Sequence, residues 1–315
     1  MREMSSDTSS GLPFMKMHGL GNDFVVVDAA EEITPEEAMR MCDRNLGIGA
    51  DGVLSVGSDP ASMTVLNADG SVAEMCGNGL RCVVWHLVRQ GALDVGAFVD
   101  LATAAGPHRG GVLKVEHEVA WVEIAMRPAT LEAEEIPSMR ALLDENLLGL
   151  CWTTVGMGNP HAVTFDPIDA AARRTLGPQL QVDPMFPAGV NVGFATLEAD
   201  HIELHVLERG AGWMRACGTG ACAAAVAAVE TGRAARGTDL TVRLPGGALS
   251  VRVDGREAPV VMRGPARHVF DGTYHRSASP PLPADSTALP PGSTALPPGS
   301  TALPPDSTSD SNGSP

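Results

Sequence analysis

The chain has 315 residues and a mass of 32.7 kDa, which is more than one compact core usually fills, so we expect two domains rather than a single small module. Hydrophobic residues make up 44 % of the chain but aromatic residues only 4 %, so the core is predicted to consist mainly of aliphatic side chains. Acidic residues outnumber basic ones by 38 to 22, and the net charge of −16 argues against nucleic-acid or anionic-membrane binding and favours a small-molecule partner.

The two ends of the chain differ in composition from its middle. Residues 1–12 are polar and Ser-rich and lack the apolar core of a signal peptide, so we predict a disordered extension there. From Ser286 the sequence Ser-Thr-Ala-Leu-Pro-Pro-Gly occurs three times, with Asp ending the third copy. Because paired prolines exclude a helix, residues 276–315 are predicted to be a disordered, low-complexity tail. No stretch reaches the roughly 18 apolar residues of a spanning helix, so a cytoplasmic protein is expected.

Strand and helix signals alternate between these ends. The apolar run at 24–27 predicts a buried strand, and Thr34 before Pro35 and two acids predicts the N-cap of a helix that continues to Arg44. Further strands, each bounded by Gly, Pro or charged turns, are predicted at 112–115, 120–125, 162–165, 201–207, 240–244 and 249–253.

Two longer and more apolar helices share a common pattern. One follows Cys76 and is predicted to end near Gly91, and the other follows Cys217 and is predicted to end near Gly232, because glycine is a frequent helix terminator. Fifteen residues separate cysteine and glycine in both cases, and each cysteine begins the motif Cys-Gly-x-Gly.

The regions upstream of these helices repeat as well. Each contains Gly-x-Gly-Asn, ending at Asn22 and Asn159, and each has a polar residue nine positions before the cysteine, Asn67 and Glu208. Four matches in the same order predict an α+β fold of two pseudo-symmetric domains, each a mostly antiparallel sheet around a central apolar helix, with the active site in the cleft between them. The predicted boundaries are 13–128 plus 264–275 for the N-terminal half and 129–263 for the C-terminal half.

The repeated cysteines lie where a helix begins. Unpaired backbone N–H groups and the positive end of the helix dipole favour an anion there, so a thiolate is expected near neutral pH. The N–H groups of Gly77, Asn78, Gly218 and Thr219 are predicted to bind a carboxylate in the same way. If the halves pack about a pseudo-twofold axis, Cys76 and Cys217 approach the bound molecule from opposite faces.

Two opposed bases suit inversion at a carbon atom, because one removes a proton and the other returns it on the opposite face. The pattern therefore predicts epimerisation or racemisation, with the carbanion stabilised by fixed N–H donors and by exclusion of water. Lys16 and Lys114 are the only lysines, and neither context marks a pyridoxal phosphate site, so no cofactor is expected.

The cysteine spacing does not favour a metal site or structural disulfides. The six cysteines are Cys42, Cys76, Cys82, Cys151, Cys217 and Cys222. The two close pairs are six and five residues apart rather than two to four, and no matching histidine pair follows, so we predict no metal. A chain of this length does not need disulfides for its core.

Seven segments together resemble the diaminopimelate epimerase family, and the resemblance spans roughly residues 13–266. The segments are Met17-His18-Gly19-Leu20-Gly21-Asn22-Asp23-Phe24, Asn67-Ala68-Asp69-Gly70-Ser71, Met75-Cys76-Gly77-Asn78-Gly79-Leu80-Arg81-Cys82, Gly158-Asn159-Pro160-His161, Val190-Asn191-Val192, Glu208-Arg209-Gly210 and Ala216-Cys217-Gly218-Thr219-Gly220. The resemblance implies pyridoxal-independent interconversion of LL- and meso-diaminopimelate in lysine and peptidoglycan precursor synthesis. It leaves a homodimer open.

The resemblance also assigns roles to residues. Cys76 and Cys217 would be the acid/base pair, and His161 and Glu208 would adjust their protonation. The substrate-binding residues would be Asn22, Asn67, Gly77, Asn78, Asn159, Asn191, Glu208, Arg209, Gly218 and Thr219. For Arg81, the simplest expectation is an ion pair with a surface acid.

Three positions depart from the family pattern. Trp213 and Met214 replace residues that are commonly Glu and Thr, and Gly52 lies where some members carry a substrate-contacting glutamine, so substrate preference stays open. The repeated tail is not a family feature.

Three alternative functions also stay open. One is a proline or hydroxyproline racemase of the same fold, although such enzymes usually have His where Asn78 lies. The others are a thiol redox protein that uses Cys76 and Cys217, and a non-catalytic ligand-binding protein.

Overall fold

A computed structural model of the chain describes residues 11–73 and 75–276, in which seventeen strands and four helices are found. The helices are α1 (Pro35–Cys42), α2 (Gly77–Arg89), α3 (Ala170–Gln181) and α4 (Gly218–Glu230). The strands are β1 (Leu12–Gly19), β2 (Asn22–Asp28), β3 (Gly52–Ser58), β4 (Ala61–Asn67), β5 (Val72–Ala73), β6 (Phe98–Leu101), β7 (His108–Glu116), β8 (Val119–Ala125), β9 (Glu145–Leu147), β10 (Leu150–Gly156), β11 (Pro160–Thr164), β12 (Asn191–Leu197), β13 (Ile202–Glu208), β14 (Gly212–Met214), β15 (Asp239–Leu244), β16 (Gly247–Arg252) and β17 (Val261–Tyr274).

The terminal extension and tail fall mostly on residues 1–10 and 277–315, which lie outside the described residues. At the inner ends of both, the structure differs from the expectation. Leu12 is buried in β1, so residues 1–12 are not all extension. Arg276 donates from Nε to the Glu37 carboxylate at 2.8 Å, which attaches the first residue of the predicted tail to α1.

The helix boundaries follow from their caps. Thr34 Oγ1 accepts the Glu37 N–H at 3.2 Å and confirms the predicted start of α1. This helix ends at Cys42 rather than Arg44. The N–H groups of Ile48 and Gly49 donate to the Met41 carbonyl, and these bonds replace the helical hydrogen bond that this carbonyl would accept. The glycine terminators of the other two predicted helices are confirmed. Gly91 and Gly232 adopt φ values of 74° and 73° just beyond α2 and α4.

The strands form two runs with matching pairings. In the first, β1–β2 is antiparallel, β2–β3 is parallel across α1, and β3–β4 and β4–β5 are antiparallel. In the second, β10–β11 is antiparallel, β11–β12 is parallel across α3, and β12–β13 and β13–β14 are antiparallel. The predicted strands all appear, but the sequence did not predict β17, whose 14 residues pair with β16, β8 and β1 and link the two runs.

Each run packs against one apolar helix. α2 contacts β1, β7, β8 and β17, whereas α4 contacts β10, β11, β13 and β16. Every residue of α4 except Glu230 is buried, and α2 is buried from Gly77 to Leu87. α4 is apolar on nearly all sides and α2 also buries Asn78, Arg81 and His86, and their burial removes aliphatic surface from water. The chain is therefore a mixed α/β protein in which a large, mainly antiparallel sheet encloses two central helices.

Candidate functional site

The two central helices both begin at a cysteine whose sulfur is the N-cap. Cys76 Sγ accepts the Gly79 N–H at 3.4 Å, and Cys217 Sγ accepts the Gly220 N–H at 3.2 Å. In both helices the acceptor thus occupies the place that Ser or Asp usually fills, where it satisfies a free N–H group. A Cβ at the fourth motif position of α4, on Gly220, would lie 3.0 Å from Cys217 Sγ, so glycine avoids a tight contact with the sulfur.

The two helix starts meet, although they are remote along the chain. A Cβ placed on Gly77 would lie 3.7 Å from Gly218 Cα, and one placed on Gly218 would lie 3.5 Å from Gly77 Cα. Asn78 Nδ2 donates to the Ala216 carbonyl, directly before Cys217, at 3.2 Å. Two positive dipole ends with free N–H groups therefore converge on one region, which is a favourable environment for an anion.

Asn22 joins the Cys76 side of this region. It lies at the first position of β2, where the β1–β2 hairpin brings it against α2. Its Oδ1 accepts from Asn78 Nδ2 at 2.9 Å and lies 3.8 Å from Cys76 Sγ, close enough for the thiol to donate.

Three predicted residues cluster on the Cys217 side. Thr219 Oγ1 lies 3.6 Å from Cys217 Sγ and accepts from Asn159 Nδ2 at 3.4 Å. His161 Nε2 is 3.0 Å from Asn159 Oδ1, so polar contacts link the histidine through Asn159 and Thr219 to the cysteine. Asn159 directly precedes β11, and Asn22 is the first residue of β2, so both asparagines lie where a strand begins after a hairpin turn.

The remaining predicted residues make local contacts. Asn67 Nδ2 donates to Ser71 Oγ at 3.0 Å and shapes the β4–β5 turn. Asn191 Oδ1 accepts the Arg209 N–H at 2.8 Å, which ties β12 to the end of β13, and Arg209 Nη1 donates to the Ala188 carbonyl at 2.6 Å. Arg81 does not form the expected surface ion pair. Its side chain is fully buried in α2.

Burial controls the protonation of the two thiols. It raises the pKa of Cys76, and it raises the pKa of Cys217 well above the usual value for a thiol. For Cys76 the Gly79 N–H, which lowers the pKa, is the second-largest cause, and the negative charge of Glu208 raises the pKa by less. For Cys217 the Glu208 carboxylate raises the pKa further, and the Thr219 hydroxyl and Gly220 N–H lower it by a smaller amount. The expectation of a thiolate near neutral pH is therefore wrong for these thiols, because desolvation outweighs the helix end.

Glu208 is itself affected by burial. Loss of solvent raises the pKa of its carboxyl group, and the nearby Cys217 thiol opposes that rise. Glu208 ends β13 and Cys217 begins α4, and a negative charge on one of these side chains disfavours a negative charge on the other. The Glu208 carboxylate therefore raises the pKa of the Cys217 thiol.

The three departures from the family pattern have distinct surroundings. Gly52 pairs with Asn67 in the β3–β4 ladder, and a Cβ there would lie 2.7 Å from the Leu66 carbonyl oxygen, so a longer side chain requires a backbone shift. The ring of Trp213 is half-exposed and lies 6.0 Å from the ring of Phe194. Met214 pairs with Val206 in β14.

Residues 11–73 and 75–276 lack two features that would point to other functions. No helix in this part of the chain is long and apolar enough to cross a membrane. The same residues contain no group of three or more His, Cys, Asp or Glu side chains arranged to hold a metal ion.

His161 makes a testable contribution to stability. Burial, with a smaller effect from the Arg209 charge, lowers its pKa from 6.5 to about 3. The unfolded chain then binds a proton that the folded chain rejects, so this group destabilises the fold as pH falls below about 6.5. Urea unfolding at about pH 7.5 and about pH 5 measures how much the free energy of unfolding falls between these pH values. The fall should be about 2 kcal/mol smaller in His161→Gln than in wild type. The exposed His275→Gln should match wild type, and an equal loss in all three proteins would contradict the effect.

Comparison with known proteins identifies the family. The family model of diaminopimelate epimerase matches residues 14–131 and 153–269. Diaminopimelate epimerase from Desulforudis audaxviator is 43 % identical over 283 residues, which cover 84 % of this chain and 100 % of that protein. The same enzyme from Xanthomonas campestris is 41 % identical over 292 residues, covering 87 % of this chain and 100 % of its own.

Solved structures show the same fold at lower sequence identity. A predicted epimerase from Pseudomonas aeruginosa superposes with a TM-score of 0.65 at 18 % identity, covering 84 % of this chain and 100 % of that one. A hydroxyproline epimerase from Agrobacterium vitis gives a TM-score of 0.59 at 18 % identity, with 84 % and 92 % covered. With its paired N-cap cysteines and this similarity over most of its length, the chain belongs to the diaminopimelate epimerase family.

Proposed function

We propose that this protein interconverts LL- and meso-diaminopimelate by a two-base reaction in which Cys76 and Cys217 exchange protons with opposite faces of Cα. Family membership gives the activity as amino-acid epimerisation in lysine biosynthesis. The observation that carries the assignment of the bases is the meeting of two helices, each capped by a cysteine sulfur. An inversion needs one proton acceptor and one proton donor, and this site offers two equivalent groups.

The proton balance of the reaction is simple. One cysteine, as thiolate, removes the Cα proton and becomes a thiol, while the other thiol gives its proton to the opposite face and becomes a thiolate. The carbanion that forms between these steps is adjacent to a carboxylate, and the N–H groups of Gly77, Asn78, Gly218 and Thr219 are suited to hold that carboxylate. After one turnover the two cysteines have exchanged protonation states, which suits a reaction that runs in both directions.

Substrate binding explains how a buried thiol becomes a thiolate. Both cysteine pKa values are raised in the structure, mainly by burial. An α-ammonium group in the site would bring a positive charge next to the sulfur and lower its pKa, while the Glu208 carboxylate would accept hydrogen bonds from the same ammonium. In this proposal Asn22, Asn67, Asn159, Asn191 and Arg209 supply neutral and cationic partners for the rest of the substrate. His161 acts on Cys217 through Asn159.

The proposal also includes two pseudo-symmetric halves in the fold, one for each cysteine. The pairings β1 to β5 before α2 match those of β10 to β14 before α4 in both order and direction. The pairs β6–β7 and β15–β16 after the two helices are likewise antiparallel. These matches support the half-domains 13–128 plus 264–275 and 129–263, with the reaction between them.

Two alternatives predict different results. Proline and hydroxyproline racemases share the fold, as the Agrobacterium vitis neighbour indicates, but lie below 25 % identity. Thiol redox chemistry requires Cys76 and Cys217 to form a disulfide, and it gives no role to Asn22, Asn159 or Glu208. All six cysteines are free thiols in this structure.

An isotope experiment tests the proposal. Reduced protein incubated with LL-diaminopimelate in D₂O, without added cofactor, is expected to form meso-diaminopimelate that carries deuterium at the inverted Cα, measured by NMR and chiral chromatography. Parallel incubations use L-proline and trans-4-hydroxy-L-proline. No exchange into diaminopimelate by folded, reduced protein would refute the proposal, and exchange into proline or hydroxyproline instead would select the racemase alternative.

A further inference from the structure

A row of four polar side chains connects the two cysteine caps to the protein surface. Arg81 Nη2 donates to Asn78 Oδ1 at 2.8 Å, and Asn78 Nδ2 donates to Asn22 Oδ1 at 2.9 Å. Asn22 Nδ2 then donates to Asp51 Oδ2 at 2.8 Å. Every bond runs in the same direction, from a guanidinium at one end to a carboxylate at the other.

The charged ends determine how both amides are oriented. A guanidinium only donates hydrogen bonds and a carboxylate only accepts them. Reversal of the Asn78 amide would place its NH₂ group against Arg81, and reversal of Asn22 would place its oxygen against Asp51. The amide atoms that face the cysteines are therefore determined: Asn22 Oδ1 lies 3.8 Å from Cys76 Sγ, and Asn78 Nδ2 binds the Ala216 carbonyl next to Cys217 at 3.2 Å.

Arg81 is an unusual residue at its end of this row. Its side chain is 0 % exposed, and its other acceptors are the Gly77 and Pro265 carbonyls and the sulfur of Met262. Within the described residues no carboxylate pairs with it. A buried charge without a counter-ion is costly, so packing alone would favour an apolar side chain at this position.

We propose that Asp51 and Arg81 are positioning residues for the epimerisation, because the amide row between them sets the Cys76 thiol relative to the Cys217 thiol. The inference rests on the proposed function. Neither residue touches the reacting sulfur atoms. They act through Asn22 and Asn78, which contact both sides of the site.

Substitutions at the two ends test this inference through separate values of kcat and KM. In Asp51→Ala and Arg81→Met, kcat for LL-diaminopimelate is expected to fall about 10- to 100-fold. KM is expected to rise by a smaller factor, because the thiols lose alignment while the substrate-binding residues outside the row, such as Asn159, Asn191 and Arg209, stay in place. Asp51→Asn is expected to restore much of the loss, since an amide oxygen can accept from Asn22 in the same position.

A double mutant shows whether the two ends act through one row. If they do, kcat of the Asp51→Ala/Arg81→Met double mutant lies within about threefold of kcat of the slower single mutant. If the two ends act independently, the two reductions in kcat multiply. Arg44→Gln is the matched control, because Arg44 Nη2 binds Asp51 Oδ1 at 2.6 Å on the exposed side and is not part of the row. Its kcat should equal that of wild type.

The outcomes separate failure of this inference from failure of the function. A folded Asp51→Ala protein with wild-type kcat, or multiplicative effects in the double mutant, would overturn the positioning role while wild type still epimerises. If Asp51→Ala does not fold, Arg81→Lys decides, because an ammonium lacks the planar fork with which Arg81 bonds Asn78 through Nη2 and Pro265 through Nε. A fall in kcat of about tenfold or more supports the role, and unchanged kcat overturns it. Inactive wild type would instead refute the function itself.

Discussion

Replacement of either N-cap cysteine by alanine is expected to abolish epimerisation. In Cys76→Ala and in Cys217→Ala, turnover of LL-diaminopimelate should fall about 10³- to 10⁴-fold, because one face of Cα then lacks its only proton donor or acceptor. Loss of the cap costs about 1 kcal/mol, since the Gly79 or Gly220 N–H loses its acceptor, which a folded domain tolerates. Chiral chromatography of LL- and meso-diaminopimelate measures turnover, and circular dichroism shows whether each variant is folded.

Two other cysteines provide matched controls for this prediction. Cys82 lies in α2, six residues after Cys76, and is fully buried, whereas Cys151 is half-buried in β10. Cys82→Ala and Cys151→Ala remove a thiol without changing the helix caps, so turnover should stay within about threefold of wild type. If a Cys76→Ala or Cys217→Ala protein keeps full turnover, the acid/base roles are wrong. Equal losses in all four variants would indicate general destabilisation instead.

Local sequence signals predicted the parts of this site that depend on neighbouring residues. The Cys-Gly-x-Gly motif, the terminal glycines and the Thr34 cap concern a few adjacent positions, and the structure confirms the helices that they predict. The equal spacing of the two motifs also indicated that two similar units are present. These features are visible in sequence because capping and helix termination are decided within one turn of the chain.

Features that depend on contacts between distant segments could not be predicted from local sequence signals. The pairings of β17 with β8 and β1 connect segments that are more than a hundred residues apart. The burial of Arg81 and the contact between Asn22 and Asp51 arise from the same packing. The raised thiol pKa values follow from burial, which the helix-dipole argument did not include. The motif therefore led to the proposed acid/base atoms, whereas the direction of their pKa shifts depends on burial in the fold.

Replacement of Glu208 by glutamine is expected to change thiol reactivity and turnover in opposite directions. Glutamine has nearly the same shape but no charge, so the pKa values of Cys217 and Cys76, which the carboxylate raises, should both fall. Alkylation of both cysteines by iodoacetamide, followed by mass spectrometry of their peptides, should then begin at lower pH than in wild type. Turnover should fall about 100-fold, because the substrate ammonium loses a charge-assisted hydrogen bond.

The opposite signs make this prediction specific to Glu208. A general loosening of the fold would raise the alkylation of buried Cys42, Cys82 and Cys222 as well, whereas removal of one local charge affects only the thiols at the two helix starts. Glu203→Gln is the matched control, since Glu203 lies on β13 with its carboxylate half-exposed near His201. It should leave both measurements unchanged. An alkylation profile of Glu208→Gln identical to that of wild type would mean that the carboxylate does not control the thiols, and a faster turnover would mean that it hinders the reaction.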